Sequence, residues 1–260
     1  MPMIDTDDST RIHYEWSGHG DAPVVMLSSS LGTDLGMWEP QMPALRERFR
    51  VLRYDMRGHG ASDVPAGPYA LDRLGRDALA LLDHLEIGRA HFCGLSLGGM
   101  IGMWLAARHP DRIGRLALCN TSARMGTVES WNDRMAKVEQ GGMAAITPAV
   151  LARWFMPRTH EDHPATVEAI RLMLLGNPPE GYAACCAAIR DADLRETLAG
   201  IAAPALVVAG THDLAAPPED GRLIASAIPG AAYIELDAAH LSNQEAPEAF
   251  TSQVVEFLGA

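Results

Sequence analysis

Ser96 stands at the centre of the stretch whose residue types and spacing most directly suggest covalent chemistry. Residues 94–98 read Gly-Leu-Ser-Leu-Gly; an apolar run, 90–93, precedes them, and a helical pattern beginning at Leu97 follows. A serine hydroxyl becomes a nucleophile when a sharp turn between a strand and a helix exposes it beside a base, and flanking glycines keep that turn free of clashes. The sequence therefore predicts that Ser96 is a catalytic nucleophile, with a plain turn serine as the alternative.

A base and an acid that could activate Ser96 follow it in the order serine, acid, histidine, which accompanies this kind of turn. His240 lies in a loop between the last predicted strand and the last predicted helix, where a surface histidine without a role is the alternative. Asp213 comes just after the preceding predicted strand, 205–209. We therefore predict that His240 accepts the proton of Ser96 and that Asp213 orients the imidazole.

Other side chains near these positions are weaker candidates for the acid. Glu219 and Asp220 follow two prolines and have the character of first-turn helix residues, where the helix dipole favours acids. The second place at which such an acid can stand is the end of predicted strand 115–119. That position holds Asn120, which cannot carry a negative charge.

Two backbone N–H groups are expected to stabilise the oxyanion that forms when a serine attacks a carbonyl carbon. One belongs to Leu97, immediately after the nucleophile, and the other to the loop that follows predicted strand 24–27. Counting from the end of that strand and from Trp38 selects Leu31 as the second donor.

The elements that must position these residues follow an α/β pattern, which predicts a mostly parallel sheet flanked by helices. Between residues 122 and 196 the alternation stops and only helical patterns occur. We therefore predict a helical cap (lid) of residues 122–196, inserted between late strands of a core formed by 1–121 and 197–260. Open sheets of this kind bind ligands at the carboxyl ends of their strands, where such a lid would lie. The predicted strands are 10–16, 24–27, 50–54, 90–93, 115–119, 205–209 and 232–236, and the predicted helices are 71–85, 97–108, 129–140, 148–155, 163–175, 179–190 and 244–258.

Composition limits the classes of function that the chain can have. A length of 260 residues suits one large α/β domain, and a hydrophobic content of 48% excludes disorder for most of it. The net charge of −12 disfavours binding to nucleic acid or to a membrane surface. Four cysteines without metal-type spacing, and an N-terminus without a secretory signal, predict a cytoplasmic protein with reduced thiols. The oligomeric state is left open, a homo-oligomer included.

No motif indicates a metal or a dissociable cofactor, and we predict that the protein uses neither. His160 and His163 have a spacing that metal ligands can have, but no third ligand stands near them. His59, in an Arg-Gly-His-Gly turn, is interpreted as structural. His212 is adjacent to Asp213, and neighbouring residues cannot easily form the hydrogen bond that a base and its acid require.

Several stretches give the whole chain a resemblance to the α/β-hydrolase superfamily: Asp-Met-Arg-Gly-His-Gly-Ala-Ser at 55–62, the turn at Ser96, Gly-Thr-His-Asp at 210–213, and His240. More narrowly, Ser-Leu-Gly-Thr-Asp-Leu at 30–35 and Met-Trp-Glu-Pro-Gln at 37–41 resemble the 3-oxoadipate enol-lactone hydrolases of the β-ketoadipate pathway. Most of the superfamily has His-Gly where this chain has Ser29 and Ser30, and that departure matches the narrower family.

The resemblance implies hydrolysis of a five-membered enol-lactone with a carboxymethyl arm, giving 3-oxoadipate in the breakdown of aromatic compounds. Such a substrate is a small anion, so an acidic protein must capture it locally. Trp131 and Arg134 lie three residues apart on a predicted helix and would share a face. We expect the guanidinium to bind the carboxylate while the indole walls off the ring. A general carboxylesterase, a cofactor-free perhydrolase with the same triad, and a lactone-binding receptor of the same fold are the alternatives.

Overall fold

The strands of the chain form one mixed sheet in a computed structural model that describes residues 1–18 and 20–260. They are β1 Met3–Asp5, β2 Arg11–Ser17, β3 Val24–Ser28, β4 Arg50–Tyr54, β5 Ala90–Leu95, β6 Ile113–Cys119, β7 Ala205–Gly210 and β8 Ala232–Leu236. Their order across the sheet is β1-β2-β4-β3-β5-β6-β7-β8. The pairs β1–β2 and β2–β4 are antiparallel, and the other neighbouring pairs are parallel. The predicted α/β fold is confirmed.

The burial of the central strands explains why their sequences are almost continuously apolar. Every residue of β3 and of β7 is buried, because helices cover both faces of a parallel sheet. The sequence did not predict β1, which has three residues and is too short to show an alternating pattern. β1 pairs with β2 at the antiparallel edge of the sheet, far along the strand order from Ser96.

The helices of the core pack on this sheet. Helix α3 contacts β5 and β6, α9 contacts β7, and α11 contacts β6. No helix in the described part of the chain combines the length and the apolar character needed to cross a bilayer. The core helices are α1 Met42–Arg48, α2 Leu71–His84, α3 Leu97–Arg108, α9 Pro218–Ala227, α10 Ser242–Glu245 and α11 Pro247–Leu258.

The single C-terminal helix predicted over 244–258 is divided in the structure. Helix α10 ends at Glu245 and α11 begins at Pro247. Ala246, between them, has φ −128° and ψ 56°, outside the helical region. The reason is steric, because the ring of a proline disfavours the α conformation in the residue before it.

Five α-helices and two short 3-10 helices, Met143–Ala145 and Arg195–Gly200, lie between β6 and β7, where the sequence predicts a helical cap. The α-helices are α4 Val128–Gly141, α5 Thr147–Trp154, α6 Pro157–Asp162, α7 Pro164–Gly176 and α8 Pro179–Asp191, of which the short α6 was not predicted. Residues 122–196 are called the helical insertion below. The division into a core of 1–121 and 197–260 and a cap of 122–196 stays a prediction.

Candidate active site

Ser96 occupies a strained turn between β5 and α3. Its φ is +59° and its ψ −116°, a backbone conformation that side-chain-bearing residues rarely adopt outside functional sites. The turn requires its two glycines. A Cβ added to Gly94 would lie 2.2 Å from the carbonyl oxygen of Gly98, and one added to Gly98 would lie 2.0 Å from that of Ser28. The Ser96 N–H donates to the carbonyl of Cys119 at 2.9 Å, which ties the turn to the neighbouring strand.

Asp213 and His240 meet across the ends of β7 and β8. His240 Nδ1 lies 2.9 Å from Asp213 Oδ2, and both side chains are buried. Asn120 Nδ2 donates to the same carboxylate oxygen at 3.1 Å. The N–H groups of Ala215 and Ala216 donate to Oδ1 at 2.7 and 2.9 Å. Asp213 is therefore fixed in position by four donors, two from its own loop and two from neighbouring loops.

These contacts keep Asp213 ionised despite its burial. Burial by itself raises the pKa of the carboxyl, but the charge of His240 and the hydrogen bonds from His240, Ala216 and Asn120 bring the pKa of Asp213 below its ordinary value. A carboxylate accepts hydrogen bonds only, so His240 Nδ1 must be the donor in this pair. The Nε2 atom of a neutral His240 is then left with its lone pair, as a proton acceptor requires.

Asn120 follows β6, the second position considered for the acid, and its hydrogen bonds hold neighbouring residues of the site in place. Its φ is +45°. Its Nδ2 donates to Asp213 and to the carbonyl of Ala239 at 3.0 Å, and its Oδ1 accepts from Ser242 Oγ at 2.5 Å. Glu219 and Asp220, the other acids considered, lie in the first turn of α9, as the prolines before them predict.

Ser96 and His240 line one pocket of about 100 Å³ at the carboxyl ends of the strands. Among the described residues, no hydrogen bond joins Ser96 Oγ to His240, although the two side chains share the pocket. Trp154 stacks on His240 with ring centroids 6.2 Å apart and an interplanar angle of 28°. The full lining is Ser30, Leu31, Ser96, Met125, Gly126, Ser130, Trp131, Arg134, Val150, Arg153, Trp154, Ile189, Ala215 and His240.

The geometry of the loop after β3 directs the N–H of Leu31 away from the loop itself. The carbonyl of Ser30 accepts from Thr33 N at 3.1 Å and from Thr33 Oγ1 at 2.9 Å. In a trans peptide the C=O and the following N–H point in opposite directions, so the N–H of Leu31 points away from Thr33. Leu97 is the first residue of α3, and its N–H has no acceptor within the helix. Neither N–H has a hydrogen-bond acceptor among the described residues, and their role as oxyanion donors stays a prediction.

Trp131 and Arg134 come together on α4 as predicted, and both line the pocket. The guanidinium carbon of Arg134 lies 4.7 Å from the centroid of the Trp131 ring. Trp131 is buried, and its indole N–H donates to the carbonyl of Met125 at 2.7 Å. The indole therefore has a fixed orientation and can support the guanidinium from one side.

Arg153 is a pocket residue that the sequence did not single out. It lies on α5, its residue as a whole is exposed, and one guanidinium nitrogen donates to the carbonyl of Leu214 at 3.0 Å. Burial of the guanidinium and the nearby charge of Arg134 lower the pKa of Arg153, against the opposing effects of Asp213 and Tyr182. Arg153 and Arg134 are on different helices, so no helical spacing in the sequence relates them. The arrangement of α4 and α5 brings both to the same pocket.

Arg134 and Arg153 differ from the other arginines of the helical insertion in their ion pairs. Within the described residues neither forms an ion pair, and they are the two that line the pocket. The other five each have an acidic partner: Arg124 and Arg195 with Asp193, Arg158 with Asp237, Arg171 with Glu168, and Arg190 with Asp191. The pocket thus presents two guanidinium groups, and among the described residues no carboxylate pairs with either of them.

His59, His160, His163 and His212 lie outside the group formed by Ser96, Asp213 and His240, and none of them lines the pocket. His212 Nε2 pairs with Asp237 at 3.0 Å on the surface. His59 is buried and accepts the N–H of Gly32 on Nε2. His160 and His163 belong to no group of three potential metal ligands in the described part of the chain.

Comparison with known proteins gives consistent matches over nearly the whole chain. The sequence profile of the family described as alpha/beta hydrolase fold matches residues 23–247. The 3-oxoadipate enol-lactonase 2 of Acinetobacter baylyi is 41% identical over 96% of this chain and 93% of that protein. The 3-oxoadipate enol-lactonase 1 of the same organism is 38% identical over 95% and 93%. The crystal structure of the enol-lactonase from Burkholderia xenovorans LB400 is 52% identical, with a TM-score of 0.98 over 100% of both chains.

Proposed function

The chain belongs to the α/β-hydrolase fold family, and we propose that it is a serine hydrolase that opens 3-oxoadipate enol-lactone with water to give 3-oxoadipate. The names of its relatives support that substrate. One observation on this chain carries the proposal. Arg134 and Arg153 face the pocket of Ser96 and have no acidic partner among the residues that the structure describes, and the carboxylate of the substrate would supply the missing negative charge.

Acylation begins with attack of Ser96 Oγ on the carbonyl carbon of the lactone while His240 Nε2 takes the hydroxyl proton. Asp213 holds the imidazole in the required tautomer and stabilises its positive charge. The N–H groups of Leu31 and Leu97 bind the oxyanion of the tetrahedral intermediate. Collapse of that intermediate breaks the ring C–O bond, and the leaving enol oxygen takes the proton from His240. The enol then converts to the ketone.

Deacylation uses the same groups with water as the nucleophile. His240 removes a proton from water, the hydroxide attacks the acyl carbon, and the oxyanion forms at the same two N–H groups. The second intermediate expels Ser96 Oγ, which recovers its proton from His240. The net reaction consumes one lactone and one water and gives a product with two carboxylates.

Substrate orientation is the part that we assign to Trp131, Arg134 and Arg153. The carboxymethyl arm would lie against the two guanidinium groups, and the lactone ring would then lie between the indole and Ser96. A charged hydrogen bond of this type contributes about 1.5–3 kcal/mol. Neutral esters lack the arm and would gain nothing from these arginines.

The deciding experiment follows the ultraviolet absorbance of freshly generated enol-lactone after addition of purified protein. We expect turnover with the wild-type chain and none above background with Ser96→Ala. Hydrolysis of p-nitrophenyl acetate without hydrolysis of the lactone would indicate a general esterase. Peroxide-dependent halogenation would indicate a perhydrolase, and release of one equivalent of product without turnover would indicate a receptor.

The proposed reaction places the protein in the breakdown of aromatic compounds by the β-ketoadipate route. We further propose that it acts in the cytoplasm, where its four buried cysteines, which form no disulfide in the described part of the chain, would stay reduced. Expression with an epitope tag and fractionation of the cells tests that location.

A further inference from the structure

Three successive serines at the end of β3 differ in how their hydroxyl groups are used. Ser28 Oγ and Tyr54 OH share a hydrogen bond of 2.9 Å. Ser29 Oγ donates to the carbonyl of Asp34 at 3.3 Å and accepts the indole N–H of Trp38 at 3.2 Å. Ser30 Oγ has no hydrogen-bond partner among the described residues, although Ser30 is only 1% exposed. The third hydroxyl is therefore buried without a partner in the described part of the chain.

A buried hydroxyl without a partner costs free energy, and such groups are uncommon in folded proteins. The backbone N–H and carbonyl of Ser30 are already used in other hydrogen bonds. Its N–H donates to Met37 Sδ at 3.2 Å, and its carbonyl is taken by Thr33. The hydroxyl can turn about χ1, but the loop does not provide an acceptor for it. A group kept in this state is a candidate for binding a ligand.

The position of Ser30 indicates which ligand atom its hydroxyl would meet. Ser30 lines the pocket together with Leu31, Ser96 and His240. Covalent geometry holds the hydroxyl within about 5 Å of the N–H of the next residue, and closer for some values of χ1. That residue is Leu31, whose N–H is directed away from Thr33 and is the proposed donor to the oxyanion. A carbonyl oxygen bound by Leu31 would therefore be close to Ser30 Oγ.

We propose that Ser30 Oγ donates a third hydrogen bond to the carbonyl oxygen of the substrate as that oxygen becomes an oxyanion, alongside the N–H groups of Leu31 and Leu97. The inference rests on the serine mechanism proposed above and assigns to it a further catalytic residue. The hydroxyl donates because an oxyanion has only lone pairs to offer. Charge on this oxygen is greatest in the transition state, so the hydrogen bond is strongest there.

The first test compares Ser30→Ala with wild type in steady-state kinetics on the enol-lactone and on p-nitrophenyl acetate. We expect kcat to fall about tenfold to a hundredfold on both substrates, with KM changed less than about threefold, because the lost bond acts mainly in the transition state. An unchanged kcat would overturn the proposal. If the wild-type chain hydrolyses only p-nitrophenyl acetate, the lactone assignment fails, and the role of Ser30 is still decided on that ester.

Thermal unfolding separates this catalytic role from a structural one. Ser30→Ala removes a hydroxyl that has no partner within residues 1–18 and 20–260, so its Tm should equal or exceed that of wild type. Ser28→Ala is the matched control: it deletes a paired hydroxyl outside the pocket lining, so it should lower Tm and leave kcat within about twofold. A Ser30→Ala chain that loses activity and Tm together would assign Ser30 to the fold and contradict the proposal.

A second measurement uses an aliphatic boronic acid, which forms a tetrahedral adduct with a nucleophilic serine and places a hydroxyl or oxyanion near the proposed donors. We expect Ser30→Ala to weaken inhibition by about the same factor as the loss in kcat/KM, since both report on the tetrahedral state. Equal inhibition constants for wild type and Ser30→Ala would count against a hydrogen bond to the tetrahedral oxygen.

Discussion

Gly32 donates its backbone N–H to Nε2 of the buried His59 at 2.8 Å. This bond connects the loop that supplies Leu31 to the turn after β4. Nε2 accepts the bond, so Nδ1 has the proton, and Nδ1 lies 3.4 Å from the carbonyl of Arg57. His59 must be neutral for this arrangement. Burial lowers the pKa of His59 to about 4, against the opposing effects of the Arg57 carbonyl and of Asp55.

His59 should make stability depend on pH. In the unfolded chain an ordinary histidine takes up its proton near pH 6.5, whereas folded His59 resists protonation until about pH 4. Stability is therefore full above pH 6.5 and is lost as the pH falls towards 4, by about 2 kcal/mol at pH 5. Urea unfolding at pH 7.5 and pH 5 measures the difference. His59→Gln, which keeps an acceptor for Gly32 and does not titrate, should reduce it by that amount, and an unchanged difference would contradict this origin.

Ser96→Ala and His240→Ala should each abolish hydrolysis of the enol-lactone, by about 10⁴-fold or more in kcat, while far-ultraviolet circular dichroism stays unchanged. The double variant should be scarcely worse than either single variant, because the two residues act as a unit. Additive losses would mean that His240 does not activate Ser96.

The two positions available for an acid predict a partial rescue. Asp213→Asn should lower kcat by about 10⁴-fold, because an amide favours the wrong tautomer of His240. Asn120 Nδ2 lies 3.1 Å from Asp213 Oδ2, so Asn120→Asp in that background returns a carboxylate to within one hydrogen-bond length of its original place. We expect at least about a tenfold recovery of kcat. Asn120→Ala in the same background is the control and should recover nothing.

Arg134→Ala and Arg153→Ala should each reduce kcat/KM for the charged lactone by a factor of about 10 to 150, which corresponds to about 1.5–3 kcal/mol of lost transition-state binding. The kcat/KM for p-nitrophenyl acetate should barely change. Arg171→Ala provides the matched control, since Arg171 belongs to the same helical insertion but pairs with Glu168 on the surface. An equal loss on both substrates would make these arginines structural, and the carboxylate would have to bind elsewhere.

Arg57→Ala should destabilise the chain strongly. Arg57 forms paired hydrogen bonds with the buried carboxylate of Asp77, at 2.5 and 2.7 Å, and also binds Asp8. Removing the guanidinium leaves Asp77 buried with only a longer contact from Arg73, a change that costs about 3–5 kcal/mol in comparable buried pairs. Arg76→Ala, which breaks an exposed pair with Asp72, should leave the urea midpoint unchanged.

The positions of Ser96, Asp213 and His240 were predictable because local sequence specifies the turns and strands that carry them. Glycine is required on either side of Ser96 because an added Cβ would lie less than 2.5 Å from a backbone carbonyl oxygen. Asp213 and His240 follow strands whose apolar runs are easily recognised. Parallel strands bring their carboxyl ends to one edge, so three distant residues converge without further information.

The pocket wall was harder to predict because it depends on how separate helices pack. Trp131 and Arg134 share one helix, and their spacing was enough to pair them. Arg153 belongs to another helix, and nothing in its neighbourhood distinguishes it from the surface arginines. The unpaired hydroxyl of Ser30 is also invisible in the sequence, since Ser28 and Ser29 beside it have the same side chain and different partners.

The residues that line the pocket come from two separate parts of the chain, which has a consequence for how such enzymes can evolve. Of the fourteen residues that line the pocket, nine belong to the helical insertion and five, including Ser96 and His240, to loops of the sheet. The proposed reacting groups and the groups proposed to face the rest of the substrate are thus encoded in separate stretches. Exchange of one contiguous gene segment, between the end of β6 and the start of β7, can change what enters the pocket while the residues of the sheet loops are kept.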